Sequence, residues 1–413
     1  MRSWPEVSIP PSVDGVLNPP LKLLDSYKKS HVTIDDHEIS IYVCGITPYD
    51  ATHLGHAATY LAFDLINRYL RASGRSVWFI ENITDIDDPL LERAQRDNQD
   101  WKALAHSQID LFTEDMSALR VRPPQRYKGV VESMEEIIEI VSEHIESGLT
   151  YNIDGDIYLD LKKVPRSLEK LPYPIDEALA IFRERGGDPD RTGKSHPLDP
   201  LLWRAHRDNE PSWSAPFGKG RPGWHVECVA IAMRNIDHKP SAQTSTITMQ
   251  GGGSDLIFPH HYMTAVQAES LTHLPFAKAY IHAGMIGLDG EKMSKSRGNL
   301  VFVSKLLQQG VSPMVIRCAL IMSHYQSDRM WNSELLNTAQ TFIAKVEQCL
   351  ARTEVAPTSD LIKQIAESLS DNLDTPKVFA LLNKWCAQTE AGEVGGSAGE
   401  LSRALDTYLG LAF

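Results

Sequence analysis

A hydrophobic segment, Ile39 to Cys44, passes through Gly45, Thr47 and Pro48 into His53-Leu54-Gly55-His56 and then into an amphipathic stretch, roughly Leu54 to Ala72, closed by Gly74. An apolar run, a turn, and then apolar positions at helical spacing read as a strand feeding a helix. The two imidazoles therefore stand at a helix N-terminus. Unpaired backbone N–H groups and the helix dipole suit that position to phosphate, to whose oxygens His53 and His56 can donate. The same grammar continues through Val77 to Asn82 and Asp87 to Ala94, and predicts an α/β fold with a parallel, doubly wound, Rossmann-like sheet. Ligands of such sheets bind at the carboxyl ends of the strands, where Cys44, Thr47, Asn82 and Thr84 fall.

Far along the chain, Lys292-Met293-Ser294-Lys295-Ser296 follows Gly284, Gly287 and Gly290 and reads as a mobile loop carrying two ammonium groups. Lys292 and Lys295 could neutralise charge that gathers on a departing pyrophosphate. Taken singly, each motif has a plain reading: a turn before a helix, and a solvated surface loop. Their order and separation favour a joint role.

At 413 residues and 42% hydrophobic composition, the chain can build a large core in two or three domains. The Pro-rich N-terminus, Met1 to Pro20, lacks the apolar core of a secretory signal, and no apolar run is long enough to cross a bilayer. A cytoplasmic monomer with no membrane partner is expected. Five cysteines, an odd number, fit thiols used as metal ligands or buried side chains rather than disulfides. The net charge of -13 is the opposite of a nucleic-acid footprint, although an acidic protein can carry local basic patches.

Residues 1–34 read as an N-terminal extension and 35–122 as the first half of a catalytic domain. Helix-rich, charged sequence from Trp101 to Leu119 and Val130 to Ser147 leads into 123–197, expected to be mostly an inserted connective region with a short strand near Asp156 to Leu161. Sheet grammar returns in 198–283, at Gly223 to Ala232, Thr246 to Gly251 and Ala279 to His282. The Lys-rich loop and a stem-contact region occupy 284–330. Residues 331–413 read as a helical bundle, with apolar residues at helical spacing over Asn332 to Ala351 and Leu361 to Thr389, a Gly-rich acidic loop at Gly392 to Gly399, and a last helix from Glu400 to Leu409.

Several runs together identify a family. Ile41-Tyr42-Val43-Cys44-Gly45, the helix-entry motif, Asn82-Ile83-Thr84-Asp85-Ile86-Asp87-Asp88, Gly220-Arg221-Pro222-Gly223-Trp224-His225-Val226-Glu227-Cys228, Gly251-Gly252-Gly253-Ser254-Asp255-Leu256-Ile257-Phe258-Pro259-His260-His261 and the Lys-rich loop resemble the cysteinyl class I aminoacyl-tRNA synthetases in order and spacing. The resemblance implies activation of cysteine as an adenylate, with Mg2+ bound chiefly through ATP, and His53, His56, Lys292 and Lys295 acting on the phosphates. It also implies one Zn2+ per chain on Cys44, Cys228 and His260, its open fourth position taking the substrate thiol. Without the resemblance those three are a weak signal, since a lone cysteine is ordinarily a small buried hydrophobe. By the same resemblance the adenylate lies along Cys44, Gly45, Ile46, Thr47, Thr59, Asn82, Ile83, Thr84, Trp224, Gly253, Ser254, Asp255 and Ile286. Thr59, inside a helix, could equally bond its own backbone, and Ile286 could be core. His261 reads as a packed or supporting histidine.

Two departures matter. The synthetases carry a Glu as a further ligand four residues after the ligand histidine, where this chain has Thr264. The sequence after Ser296 suffices for a helical bundle but not for a separate anticodon-binding domain. With Glu184-Arg185-Gly186-Gly187-Asp188-Pro189, these departures resemble the cysteine ligases of mycothiol biosynthesis, which transfer activated cysteine to the amine of glucosaminyl-inositol. L-cysteine, ATP and glucosaminyl-inositol, and no tRNA, are then the expected partners. The Glu184 to Pro189 run is locally a helix end with a glycine cap, and no catalytic task follows from its residues. A shortened cysteinyl-tRNA synthetase and a catalytically silent cysteine sensor are the competing readings.

Overall fold

The computed structural model describes residues 1–13, 15–238, 244–288, 290–293 and 299–413, without the side chain of Lys292. Its centre is a five-stranded, wholly parallel sheet built from β1 (Glu38–Val43), β2 (Ser76–Ile83), β3 (Arg126–Gly129), β4 (Ile247–Gly253) and β5 (Ala277–Ala283), in the order β5-β4-β1-β2-β3. The chain order reverses between β1 and β4, so the crevice of a doubly wound sheet opens there. Helix α1 (Leu54–Ala72) crosses from β1 to β2, buries Leu54, Leu61, Leu65 and Ile66, and is closed by Gly74 at φ +73°.

A second, antiparallel sheet joins Thr150–Ile153, Asp156–Leu159, Leu201–Ala205 and Gly220–Pro222. Its last strand leads directly into α3 (Trp224–Arg234), after α2 (Ile175–Glu184) has crossed the intervening segment. The expectation of a strand at Gly223 to Ala232 is corrected here. That run is buried from His225 to Ala232 because α3 is wedged against both Met134–Glu146 and α4 (Tyr262–Thr272). Periodicity cannot separate a fully buried helix from a fully buried strand.

The C-terminal helices Ser333–Leu350, Ser359–Ser370, Thr375–Glu390 and Ala398–Leu409 pack together and onto α1. The stretch expected to be helical from Leu361 to Thr389 is broken: Asn372 and Leu373 take left-handed φ of 54° and 53°, and Asp374 caps the next helix through Lys377 N at 3.0 Å. The carboxylate thereby pairs one of the N–H groups that the start of a helix leaves without an intrahelical partner.

Two fully buried arginines fasten the bundle to α1. Arg68 Nε donates to Asp64 Oδ2 at 2.7 Å, and Arg317 pairs with the same oxygen. Arg317 also donates to Leu409 O at 2.6 Å and Leu119 O at 2.8 Å, which satisfies the guanidinium away from water. The N-terminal segment is tied down by Trp4, which sits edge-on to Phe112 and Tyr127 and donates to Val121 O at 2.7 Å. All five cysteines are buried and free. Among the described residues, no helix is long and apolar enough to cross a membrane.

Candidate active site and metal centre

Strand β1 delivers Cys44 to the crevice, where Cys44 N donates to Gly251 O at 3.1 Å. The neighbouring strand end is locked to it through one side chain: Asn82 Oδ1 accepts from Gly45 N at 3.0 Å and Tyr42 OH at 2.9 Å, while Asn82 Nδ2 reaches Thr84 Oγ1 at 3.3 Å. A Cβ at position 45 would lie 1.5 Å from Asn82 O, so only glycine permits this approach. Thr84 N closes the turn onto Ile46 O at 3.0 Å.

Cys228 comes from α3 and His260 from the segment after β4. The donor atoms of Cys44, Cys228 and His260 lie within 4.8 Å of one another, and all three residues are buried. The sulfurs are 3.9 Å apart, and His260 Nε2 is 3.2 Å from Cys228 Sγ. Trp224 stacks on the His260 ring at 4.5 Å and 27°. His225 Nδ1 lies 3.0 Å from His260 Nδ1. The sequence reading missed His225; it stands three residues before Cys228, the spacing that puts two residues on one helix face. His261 stands beside the cluster, with Nε2 at 3.2 Å from Cys44 Sγ and Nδ1 at 2.7 Å from His282 Nε2. Thr264 is turned away from the donors: its hydroxyl donates to His260 O at 2.8 Å.

Burial sets the charge state here. It pushes the Cys44 thiol up, and the adjacent Cys228 reinforces this. Burial acts the same way on Cys228 but is outweighed by the Cys44 thiol and His260, which hold it well below its ordinary value. The pair thus shares one proton. Burial also lowers His225, His261 and His282, the last to about 3, so these imidazoles are neutral at pH 7. Two thiols and a neutral supporting shell form a soft donor set with no carboxylate in it, the chemistry that selects zinc over harder cations.

His53 caps α1. Its Nδ1 accepts from Gly55 N at 3.1 Å and His56 N at 3.4 Å, which leaves the ring proton on Nε2. The His56 ring stacks on it at 3.7 Å. Leu54 N donates to Val301 O at 2.9 Å and Val303 N to Thr52 O at 3.1 Å, so the chain emerging from the lysine-rich segment is bonded on both sides of His53. Lys292 is seen only as backbone paired with Gly287, and Lys295 lies outside the described residues.

The remaining candidates divide by exposure. Ile46, Ile83 and Ile286 are buried core side chains, which leaves their backbones for ligand contact. Thr59 Oγ1 donates to Gly55 O at 3.1 Å, the local bond that its helical position favours. Ser254 and Asp255 open a short turn after Gly253. The Asp255 carboxylate folds over that glycine, 2.5 Å from where a Cβ would sit, with Thr59 Oγ1 3.8 Å from the same point. Thr47 and Trp224 are partly exposed.

Residues 30–341 match the family model of the class I (C) tRNA synthetase catalytic domain. A Rhodococcus erythropolis protein named L-cysteine:1D-myo-inositol 2-amino-2-deoxy-alpha-D-glucopyranoside ligase is 48% identical over 422 residues, covering 100% of both chains. A Nakamurella multipartita protein of the same name is 49% identical over 417 residues, covering 100% of this chain and 99% of that one. In fold, the chain is similar to Mycobacterium tuberculosis methionyl-tRNA synthetase in complex with methionyl-adenylate, at TM-score 0.62 and 16% identity, covering 90% of this chain and 88% of that one. An Agrobacterium radiobacter LeuRS in a ternary complex gives TM-score 0.64 at 11% identity, covering 91% and 84%.

Proposed function

Because this chain belongs to the class I synthetase family that includes the L-cysteine:1D-myo-inositol 2-amino-2-deoxy-alpha-D-glucopyranoside ligases, we propose that it carries out their reaction with the residues described above. It is an ATP-dependent, AMP-forming ligase of mycothiol biosynthesis: L-cysteine is activated as cysteinyl-adenylate and transferred to the amine of glucosaminyl-inositol. The observation that carries the site assignment is the buried Cys44, Cys228 and His260 cluster at the point where the sheet reverses order, beside a helix capped by an imidazole.

The three donors fit one Zn2+ with an open fourth position, which when filled by substrate thiolate would separate cysteine from serine. Trp224 and His225 hold the His260 ring in place. In the first step a cysteine carboxylate oxygen bonds the α-phosphorus of ATP as the bond to pyrophosphate breaks. His53 Nε2–H, His56, Lys292 and Lys295 meet the charge on that leaving group, with Mg2+ bound through ATP. The adenylate lies along Cys44 to Thr47, Thr59, Asn82 to Thr84, Trp224, Gly253 to Asp255 and Ile286. In the second step the neutral glucosamine nitrogen attacks the adenylate carbonyl, the carbonyl-to-phosphate oxygen bond breaks, AMP leaves, and the nitrogen loses a proton to solvent. We assign residues 35–122 and most of 198–283 to the catalytic halves, most of 123–197 to the connective region and 331–413 to the bundle; β3 belongs with the central sheet, and Leu201–Ala205 and Gly220–Pro222 with the second one.

Purified protein with ATP, Mg2+ and cysteine is expected to catalyse pyrophosphate exchange, to discriminate against serine, and to form the cysteinyl amide of glucosaminyl-inositol with one AMP per amide. It is not expected to charge cysteine tRNA at a comparable rate. Efficient tRNA cysteinylation with the pseudodisaccharide inert in the same preparation would falsify this reading.

A further inference from the structure

The run Glu184-Arg185-Gly186-Gly187-Asp188-Pro189 has no part in the reaction just described, yet it reaches the site. Helix α2 packs against the Ile257–His261 segment that carries a metal donor, with Tyr173 edge-on to Phe258 at 6.1 Å. At its end, Gly186 takes φ +84° and Gly187 folds back so closely that a Cβ there would lie 2.5 Å from the Phe182 ring. The turn is then bolted to the second sheet. Asp188 accepts from Tyr158 OH at 2.5 Å and from Lys194 Nζ at 2.9 Å, and the Lys194 side chain, only 2% exposed, also donates to Pro197 O at 3.0 Å.

From this fixed turn Arg185 reaches seventy residues along the chain, where Nη1 donates to Asp255 O at 2.9 Å and stands 3.9 Å from Asp255 Oδ2. The charge pair is partly exposed and contributes little by itself. The hydrogen bond matters more, because it fixes the main chain of the residue whose carboxylate covers Gly253 beside Thr59.

We propose that Arg185 is a positioning residue for the activation half-reaction: it holds Asp255 so that the Asp255 carboxylate meets the adenylate. The proposal rests on the adenylate site assigned above. It gives the inserted sheet a task, which is to supply the rigid base from which a guanidinium preorganises a loop of the central one.

The test is a double-mutant cycle of binding. Wild type, R185M, D255N and R185M/D255N are titrated calorimetrically with a non-hydrolysable sulfamoyl analogue of cysteinyl-adenylate, with metal content and Tm recorded. Each single change is expected to weaken binding by about tenfold, and the double change no further than the weaker single one, since both act through one group. Metal content and Tm stay at the wild-type values, and R185K, which keeps the charge on the same turn, lies between wild type and R185M. Where R185M lowers Tm, the same cycle is run with R185K and a smaller weakening. Losses that multiply in the double variant overturn the proposal. So does an R185M protein that binds the analogue as tightly as wild type and loses only transfer to the amine. A wild-type protein that does not bind the analogue overturns the functional reading instead.

Discussion

His225 and His260 face each other through their Nδ1 atoms at 3.0 Å, and this leaves Nε2 of His260 turned toward Cys228 Sγ at 3.2 Å. A partner on the far nitrogen fixes both the tautomer and the tilt of a ligating imidazole. His225→Leu should therefore weaken metal binding by about ten- to a hundredfold while all three donors remain. Competition with a chromogenic chelator measures it. Unchanged affinity in a folded His225→Leu protein would show that Trp224 alone orients the ring.

Thr264 occupies the position at which the synthetases supply a further ligand, but its hydroxyl donates to His260 O at 2.8 Å. Thr264→Ala should leave metal stoichiometry at the wild-type value and lower stability by about 0.5–1.5 kcal/mol through the lost buried hydrogen bond. Marked loss of metal on gel filtration would mean that the donor set has been misassigned.

Nδ1 of His53 caps α1, so the phosphate role proposed for this residue falls to Nε2 and the two tasks are separable. His53→Ala should lose both, costing about 0.5–2 kcal/mol of stability as well as turnover. His53→Asn keeps a capping oxygen and should restore most of the stability while pyrophosphate exchange stays low. Exchange that recovers along with the melting temperature would reduce His53 to a cap.

Asp64 is buried against Arg68 and Arg317. Burial alone would raise its carboxyl, but the two guanidinium groups outweigh it and hold it below the ordinary carboxylate value. A depressed folded pKa contributes stability that is present above the unfolded value, about 3.9, and is lost as pH falls through the folded one. Asp64→Asn should destabilise by about 3–5 kcal/mol at pH 7, since it leaves two buried arginines without their anion. It should also lose less stability than wild type between about pH 4 and pH 2. Parallel urea and acid titrations give both numbers, and superimposable acid transitions would remove Asp64 from the account.

Lys295 lies outside the described residues, and the expectation for it comes from the sequence. Lys295→Ala should slow adenylate formation by about a hundred- to a thousandfold, as for other single electrostatic stabilisers. Affinity for cysteine should hardly change. Rapid-quench measurement of the adenylate separates the two, and a collapse of cysteine binding with normal turnover would assign the loop a different role.

Four strands of the central sheet could be read from sequence because each is an apolar run that ends in a turn, whereas β3, only four residues long and carrying Arg126 and Lys128, has no such run and fell in the stretch expected to be mostly insertion. Val77 to Asn82 and Ala279 to His282, for instance, lie within β2 and β5. The Gly223 to Ala232 helix could not, since burial on all faces erases periodicity. That one error hid His225, whose partnership depends on the helical spacing from Cys228. The break at Asn372 left a trace in Asp374-Thr375-Pro376, a cap followed by proline, which outranks the apolar spacing on either side. The contacts of Arg185 with Asp255, and of His261 with Cys44, join residues far apart in the chain. Nothing local encodes them, so only the assembled fold reveals them.

The two backbone bonds that flank His53, from Leu54 N to Val301 O and from Val303 N to Thr52 O, act as a tether. Lys295 is six residues from Val301, a length of chain that spans at most about 20 Å. The two motifs proposed to meet the phosphates, some 240 residues apart in the sequence, are thereby joined by a short leash, which sets their effective concentration in place of the long chain between them. Lengthening that leash with inserted glycines should slow adenylate formation without altering either motif.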